Sequence, residues 1–595
     1  MNTNEQSRQR LGISSSVTDK IIRSIAAHPY LWTFVICIFV DPFYLGAEEN
    51  VPPNALLFET LMVLAGGYSL IYYLFKSERL NRPASYLCAA VFTIADILFL
   101  KWYSTLYTNG VVLLFLGLLF VIGIYYFART KKYRDQLNSL LILGMSFVVK
   151  LYYVYMSSCY TRQHDVHSFG NESGHAGYME YLLFNHKLPD FDVREVWQYC
   201  HPPLHHIISA LWLYLNEELL GVGHNPARES LQTLTLFYSM CIVITAYRIF
   251  RQFKLKGAAI YIPTVIVAFH PAFIMFSGSI NNDVLSVAFM MGAFLCTVRW
   301  YREQKFSDLM KIALCVGLGM MTKLAAALVA PPIALVFLIV FIKKTKEQGS
   351  LTALKMIRDF AVFGAVCAPL GLWFEIKNYI KFKVPIMYVQ EMPKNVMQYI
   401  GKQDYIRRVT DFSSKQFESP FEQWLSRTED GTLVGYNEYN PLVALLKNSL
   451  FGEYINESNY GLAILPESSF ICRLFFWTGV VVAAVCLFLM IFNISNKCGL
   501  TAAEKTLFGS FYLILMANFY KMSHDYPFTC TMNFRYITPT VFIGAFFLGI
   551  TLKNISADGT KTERAVKAAA FSMALIFALL SVVIFAFVCI PMPPE

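Results

Sequence analysis

Seven of the chain's eleven histidines fall between His164 and His206, and Asp165, Glu172, Glu180, Asp190 and Asp192 share that stretch. Histidine exchanges protons near neutral pH and is a frequent metal ligand. Carboxylates among such groups can do acid–base work. Two chemistries are open to this set. One is removal of a proton from an attacking oxygen. The other is a zinc-like centre with His164, His167, His175 and Asp165 supplying nitrogen and oxygen ligands. No spacing here matches a strong metal motif such as HExxH. The expectation is therefore that no metal or other cofactor is required, with a divalent ion on His164, His167 and His175 as the alternative. A plain solvated loop is the third reading. The stretch closes on His201-Pro202-Pro203-Leu204-His205-His206, where the proline pair forces an extended entry into a helical pattern.

Other polar residues interrupt apolar runs further along. Asn281-Asn282-Asp283 precedes one such run and reads either as a helix cap or as part of a site. Lys323 lies between two apolar runs and is a candidate anion binder, with a snorkelling lysine as the structural alternative. Glu375, Lys377 and Asn378 close another segment, and Lys521, His524, Asp525, Arg535 and Tyr536 flank a late loop. Arginine suits phosphate because its guanidinium binds in a bidentate way.

Membrane-spanning helices must position these residues. The chain has 595 residues, 56% hydrophobic and 15% charged, against about a quarter charged in a soluble domain. Spanning takes about 20 apolar residues, and about fifteen such stretches run from residue 30 to residue 590. They are apolar all round rather than alternating, which selects helices over a barrel. The fold expected is an all-α polytopic membrane protein, a helix bundle with loops at its outer face.

The net charge of +10 does not indicate nucleic acid, because Lys and Arg occur in short clusters between apolar runs. The 13 cysteines are scattered and read as small core residues. The polar N-terminus lacks the early apolar stretch of a cleavable signal, so the first apolar segment is expected to stay as an anchor.

Basic clusters at Arg8 to Arg23, Lys76 to Arg82, Arg129 to Arg134, Arg251 to Lys256, Arg299 to Lys305, Lys343 to Lys346, Lys497 to Lys505 and Lys553 to Lys567 read as cytoplasmic. They agree with one another only if 204–221, which carries Glu217 and Glu218, does not cross but lies in the outer interface. The organisation expected is a cytoplasmic tail (1–29), four additional N-terminal helices (30–136), a transmembrane core (137–377) holding the first outer loop (158–203), a long extracytoplasmic loop (378–470) and C-terminal transmembrane helices (471–595).

In order, these pieces resemble the GT-C superfamily of integral membrane glycosyltransferases, nearest to the protein O-mannosyltransferase and aminoarabinose transferase group. The resemblance covers about 138–552. It rests on Asp165 soon after a transmembrane segment, His201 to Leu204, Asn282-Asp283, Lys323 after Gly317 and Gly319, Trp373 to Asn378 with Pro385, and Phe534-Arg535-Tyr536 with Pro539. Where mannosyltransferases of the group usually show two adjacent acids in the first loop, this chain has His164-Asp165. Four helices also precede the family core.

The resemblance implies a polyprenyl-phosphate sugar donor, a lipid, glycan or protein acceptor, and transfer with inversion. Asp165 would be the general base. Lys323 and Arg535 would bind the donor phosphate, and His164, Glu172, His175, His201, Asp283 and Tyr536 would line the substrate or acceptor site. Membrane lipids are expected partners and nucleic acid is not. The location expected is a bacterial plasma membrane, with the active site facing outward. The competing reading is a transporter or flippase of a lipid-linked or small solute, which would favour broken helices at mid-membrane.

Overall fold

The computed structural model describes residues 24–39, 41, 134–155, 157–159, 165–396, 398–401, 404–413, 415–418, 420–421, 426–427, 433–434, 438–452, 466–555 and 560–585. Of the four expected leading helices, only α1 (Pro29–Phe39) is among them. The rest of that expectation lies outside the described residues, as does His164.

The described residues form a bundle of apolar helices. These are α2 (Arg134–Tyr155), α3 (Gly174–Asn185), α4 (Leu204–Tyr214), α5 (Leu231–Gln252), α6 (Ala258–Ala268), α7 (Pro271–Gly278), α8 (Asp283–Glu303) and α9 (Phe306–Thr322). After a 3-10 turn at Leu324–Val329 follow α10 (Ala330–Gln348), α11 (Ser350–Phe382), α12 (Pro441–Phe451), α13 (Pro466–Ser495), α14 (Ala502–Asp525), α15 (Pro539–Asn554) and α16 (Lys561–Val583). The strands described are two-residue pieces, Ser426–Arg427 and Leu433–Val434, paired antiparallel in the long loop.

Six described helices are long and apolar enough to cross a membrane, or up to eight if two bent pairs each count as one span. The protein is an integral multi-pass membrane protein. The bent pairs explain two expected spans. Within 257–277 the helix breaks by 49° between Ala268 and Pro271. Pro271 has no N–H to give, and the His270 ring instead accepts the Ala272 N–H at 3.3 Å. The carbonyl of Ala268, freed by the break, accepts from Ser146 Oγ at 2.7 Å and from Lys150 Nζ at 2.9 Å. The second break, 45°, precedes Pro539.

Three of the apolar stretches, 204–221, 309–322 and 504–520, fold as helices too short or too polar to meet that test. The stretch 204–221 ends as α4 plus a π-turn at Leu215–Leu219. Both ends of α4 are tied to one end of the bundle. His205 Nε2 bonds the carbonyl of Ile280, just before α8, at 2.8 Å, and Trp212 Nε1 donates to Ser230 Oγ, just before α5, at 2.9 Å. Thus α4 runs along the end of the bundle and not through it. Two boundaries also move: α11 continues to Phe382, past the expected 377, and α13 begins at Pro466, before the expected 471.

The charges sort by end. Where α8 finishes and α9 and α14 begin, Arg302 pairs with Glu504 at 3.0 Å, and Asp308 pairs with Arg299 at 3.7 Å and Lys311 at 3.1 Å. At the same end Lys553 donates to the carbonyl of Phe253 at 3.0 Å. The opposite end, where α2 and α9 finish and α8 and α15 begin, carries the candidate residues.

Candidate active site

Four stretches far apart in sequence arrive together there, each by its own local device. The segment with Asp165 lies on the first turn of α3, whose N–H groups have no partner within the helix. His175 N donates to the Asp165 carbonyl and Ala176 N to the Val166 carbonyl, both at 2.9 Å. This close approach needs Gly174. A Cβ there would sit 2.5 Å from Val166 O, 2.8 Å from His167 Cβ and 2.9 Å from Asp165 O, and its φ is +79°. Gly174→Ala should therefore cost about 1–3 kcal/mol, lower the melting temperature and lift the loop off α3. Gly170→Ala, with a φ of +81° but open space around it, should cost only about 1–2 kcal/mol. Thermal unfolding of the two purified variants checks the contrast.

Asp283 is the first residue of α8. Its N–H donates to Asn281 Oδ1 at 3.1 Å, and an acid at this position suits the positive end of the helix. Asn282 Nδ2 donates to the Thr322 carbonyl at 3.3 Å, which draws the end of α9 to the start of α8. Gly319 allows that packing, since a Cβ there would press 3.0 Å from Ala326 and 3.2 Å from Phe289 of α8, while one on Gly317 would press 3.0 Å from Leu370 of α11. Lys323 follows directly and reaches Asp283 Oδ1 at 2.6 Å. Arg535 sits in a 3-10 turn, Phe534–Ile537, whose backbone is held by two asparagines. Asn533 Oδ1 accepts from Arg535 N at 2.9 Å, and Asn448 Oδ1 of α12 accepts from Phe534 N at 3.4 Å.

Arg535 joins the two acids. Its Nη2 donates to Asp165 Oδ2 at 3.3 Å, and its Nη1 lies 3.4 Å from Asp283 Oδ2, a contact of charge rather than an aligned hydrogen bond. Nη2 also donates to the Tyr536 hydroxyl at 3.0 Å. The Tyr536 ring lies 5.3 Å from Lys323 Nζ and 5.0 Å from Arg535 Cζ, within cation–π range. Two cations and two carboxylates thus share one site. The side chains of Asp283, Lys323 and Arg535 are 5%, 14% and 9% exposed, while Asp165 keeps 28%. A small pocket of about 50 Å³ adjoins Arg535, lined by Ser279, Asn281, Asn448, Asn533 and Phe534 among others.

The histidines take a different place from the one their side chains suggest. His175 and His206 are buried and hydrogen-bonded, Nδ1 to Nε2, at 2.9 Å, and His201 stacks on His175 at 5.6 Å between ring centroids. Burial, and next the Lys323 ammonium, push the His201 imidazole down to about 3 from its ordinary 6.5. Burial, and next His206, hold His175 well below the same value. Both stay neutral when folded, whereas the unfolded chain protonates them below about 6.5. A lowered folded-state value means stability that is present above 6.5 and lost as the pH falls toward 3. His201→Asn should therefore show a smaller drop in melting temperature between about pH 7 and pH 5 than the parent chain, read by thermal unfolding in detergent.

Of the other sequence candidates, Glu172 is exposed and makes no ion pair with Lys323 or Arg535 among the described residues. Of the alternative metal set, His164 lies outside the described residues. His167 is exposed and bonded to Ser173 Oγ at 2.9 Å, while His175 faces His206, and no group of three or more ligands suited to a metal occurs among the described residues. The remaining loop acids pair elsewhere: Asp190 with Lys381, Asp192 with Arg194, and Glu180 with Arg228. Sequence reading passed over Tyr178, which stacks on His206 at 4.3 Å, and the backing roles of Asn448 and Asn533. No spacing marks any of the three.

Residues 201–373 match the family model described as dolichyl-phosphate-mannose-protein mannosyltransferase. The match supports a membrane glycosyltransferase of the GT-C type. No curated protein matches the chain. The mannosyltransferase-like stretch contains His201, Asp283 and Lys323 but stops short of Asp165, Arg535 and Tyr536 on either side. Those three are joined to it by the contacts of Arg535 with both carboxylates.

Proposed function

We propose that this protein transfers a sugar from a polyprenyl-phosphate donor to an acceptor hydroxyl at the extracytoplasmic face, with inversion at the anomeric carbon. The observation that carries the reading is the meeting of Asp165, Asp283, Lys323 and Arg535 at the less basic end of the bundle. Positive charge gathers at the other end, which favours that other end as cytoplasmic.

In the proposed step the acceptor oxygen attacks the anomeric carbon from the face opposite the phosphate. The bond from that carbon to the phosphate oxygen breaks, and its electron pair leaves with the polyprenyl phosphate. The acceptor's proton passes to the Asp165 carboxylate. Lys323 and Arg535 stabilise the charge that grows on the phosphate, with Asp283 keeping both cations in place. His201, neutral and half-buried beside these charges, shapes the wall of the site. Acceptors in reach are a lipid, a glycan or a protein presenting a hydroxyl.

The test is incubation of purified protein with a polyprenyl-phosphate hexose or pentose and candidate acceptors. Release of polyprenyl phosphate that depends on both the protein and an acceptor is the expected result. Movement of the intact donor between leaflets of a vesicle, with no cleavage, would instead establish the flippase reading.

A further inference from the structure

Two buried carboxylates hold the backbone on either side of Asp165 and make no ion pair with Lys323 or Arg535. Glu180 of α3 accepts the Gly170 N–H through Oε2 at 2.6 Å and pairs through Oε1 with Arg228 Nη2 at 2.7 Å. The Arg228 guanidinium also lies over the ring of Phe169, 5.1 Å from its centroid. Glu229 accepts the Cys159 N–H at 2.8 Å and Gln232 Nε2 at 3.0 Å, and that same nitrogen donates to the Ser157 carbonyl at 2.9 Å. Glu180 and Glu229 are only 6% and 8% exposed.

Burying a carboxylate is unfavourable unless hydrogen bonds replace its water, and a charged acceptor binds a backbone N–H more tightly than a neutral one. Both acids put part of that strength into loop backbone, Glu180 into Gly170 and Glu229 into Cys159. The loop has something to resist. Asp165 and His167 both adopt left-handed backbone conformations, at φ 59° and 56°, which non-glycine residues rarely hold without outside constraint.

We infer that Glu180 with Arg228 on one side, and Glu229 on the other, are positioning residues that keep the Asp165 carboxylate at the edge of Arg535. This rests on Asp165 acting as the base. None of the three touches the donor or the acceptor.

The experiment compares the full-length parent chain with Glu180→Ala, Glu180→Gln and Arg228→Ala in detergent. Glu180→Ala is expected to lower kcat roughly tenfold to a hundredfold while the donor KM stays within about twofold, because Arg535 and Lys323 are held by other elements. Glu180→Gln should recover part of the loss, since an amide oxygen can still accept the Gly170 N–H. Hydrogen exchange of the 165–170 peptide should quicken in Glu180→Ala and Arg228→Ala while that of the 283–303 peptide does not. Parent-like kcat in Glu180→Ala, with unchanged exchange at 165–170, overturns the inference. A lowered melting temperature with no change in kcat does so too. If the parent chain itself transfers no sugar, the reading of the site has failed, and the exchange data alone then decide whether these acids hold the loop.

Discussion

Asp165→Asn is expected to reduce sugar transfer by roughly 10²–10⁴-fold, the usual contribution of a positioned general base. The substitution keeps the shape of the side chain and an oxygen that can still accept from Arg535 Nη2, now at 3.3 Å. It removes the ability to take a proton. The backbone bonds from α3 to the loop do not involve the side chain, so the melting temperature should stay close to that of the parent. Donor binding, followed by retention of polyprenyl phosphate on the purified variant, should be kept or strengthened, because Arg535 loses a competing negative charge. Undiminished turnover would remove Asp165 from the reaction.

The second large effect is expected at Arg535. Its guanidinium is within 3.4 Å of two different carboxylates and bonded to a phenol as well. Arg535→Gln should lower kcat/KM for the donor by roughly 10²–10³-fold, as when a donor to a developing charge is removed. Arg535→Lys should not restore it, because one ammonium cannot reproduce the planar fork that spans both acids. The loss should appear in donor affinity as well as in turnover, in contrast to Asp165→Asn, where it appears in turnover alone. Steady-state kinetics over a range of donor concentrations separates the two patterns. Equal donor affinity in Arg535→Gln and the parent would refute the assignment of Arg535 to the phosphate.

Much of this was open to reading from residue types alone. A charged residue between apolar runs has few harmless places to be, so Asp283, Lys323 and Arg535 stand out in the sequence itself. The spans were legible wherever packing let a helix run straight. They were less so at Phe269–His270 and near Thr538, where proline breaks a run that composition presents as continuous. The histidine-rich stretch misled in one respect. Seven histidines suggest proton traffic, yet His175 is buried, His201 is half-buried and both are neutral, and residue type alone does not reveal burial. The positions that set loop geometry, such as Asn448 beneath Phe534 or Glu180 beneath Gly170, stayed hidden because their partners are backbone groups, which every residue possesses.

The length of α11 bears on how the protein sits in the bilayer. Its 33 residues extend about 50 Å at about 1.5 Å each, whereas the hydrocarbon layer is about 30 Å thick. Tilting of up to about 40° would still leave the helix some 8 Å too long to be submerged. Its final turns are bound to the segment after α3: Lys377 donates to the Pro189 carbonyl at 2.9 Å, Lys381 pairs with Asp190, and Arg194 reaches the Phe382 carbonyl at 3.1 Å. The segment after α3 is therefore carried on a helix longer than the hydrocarbon layer is thick, at a height set by the protein and not by the surrounding lipid. Under the proposed function, thinner or thicker membranes would change how far a prenyl-linked donor must rise to reach Asp165 and Arg535, leaving the arrangement of those groups as it is.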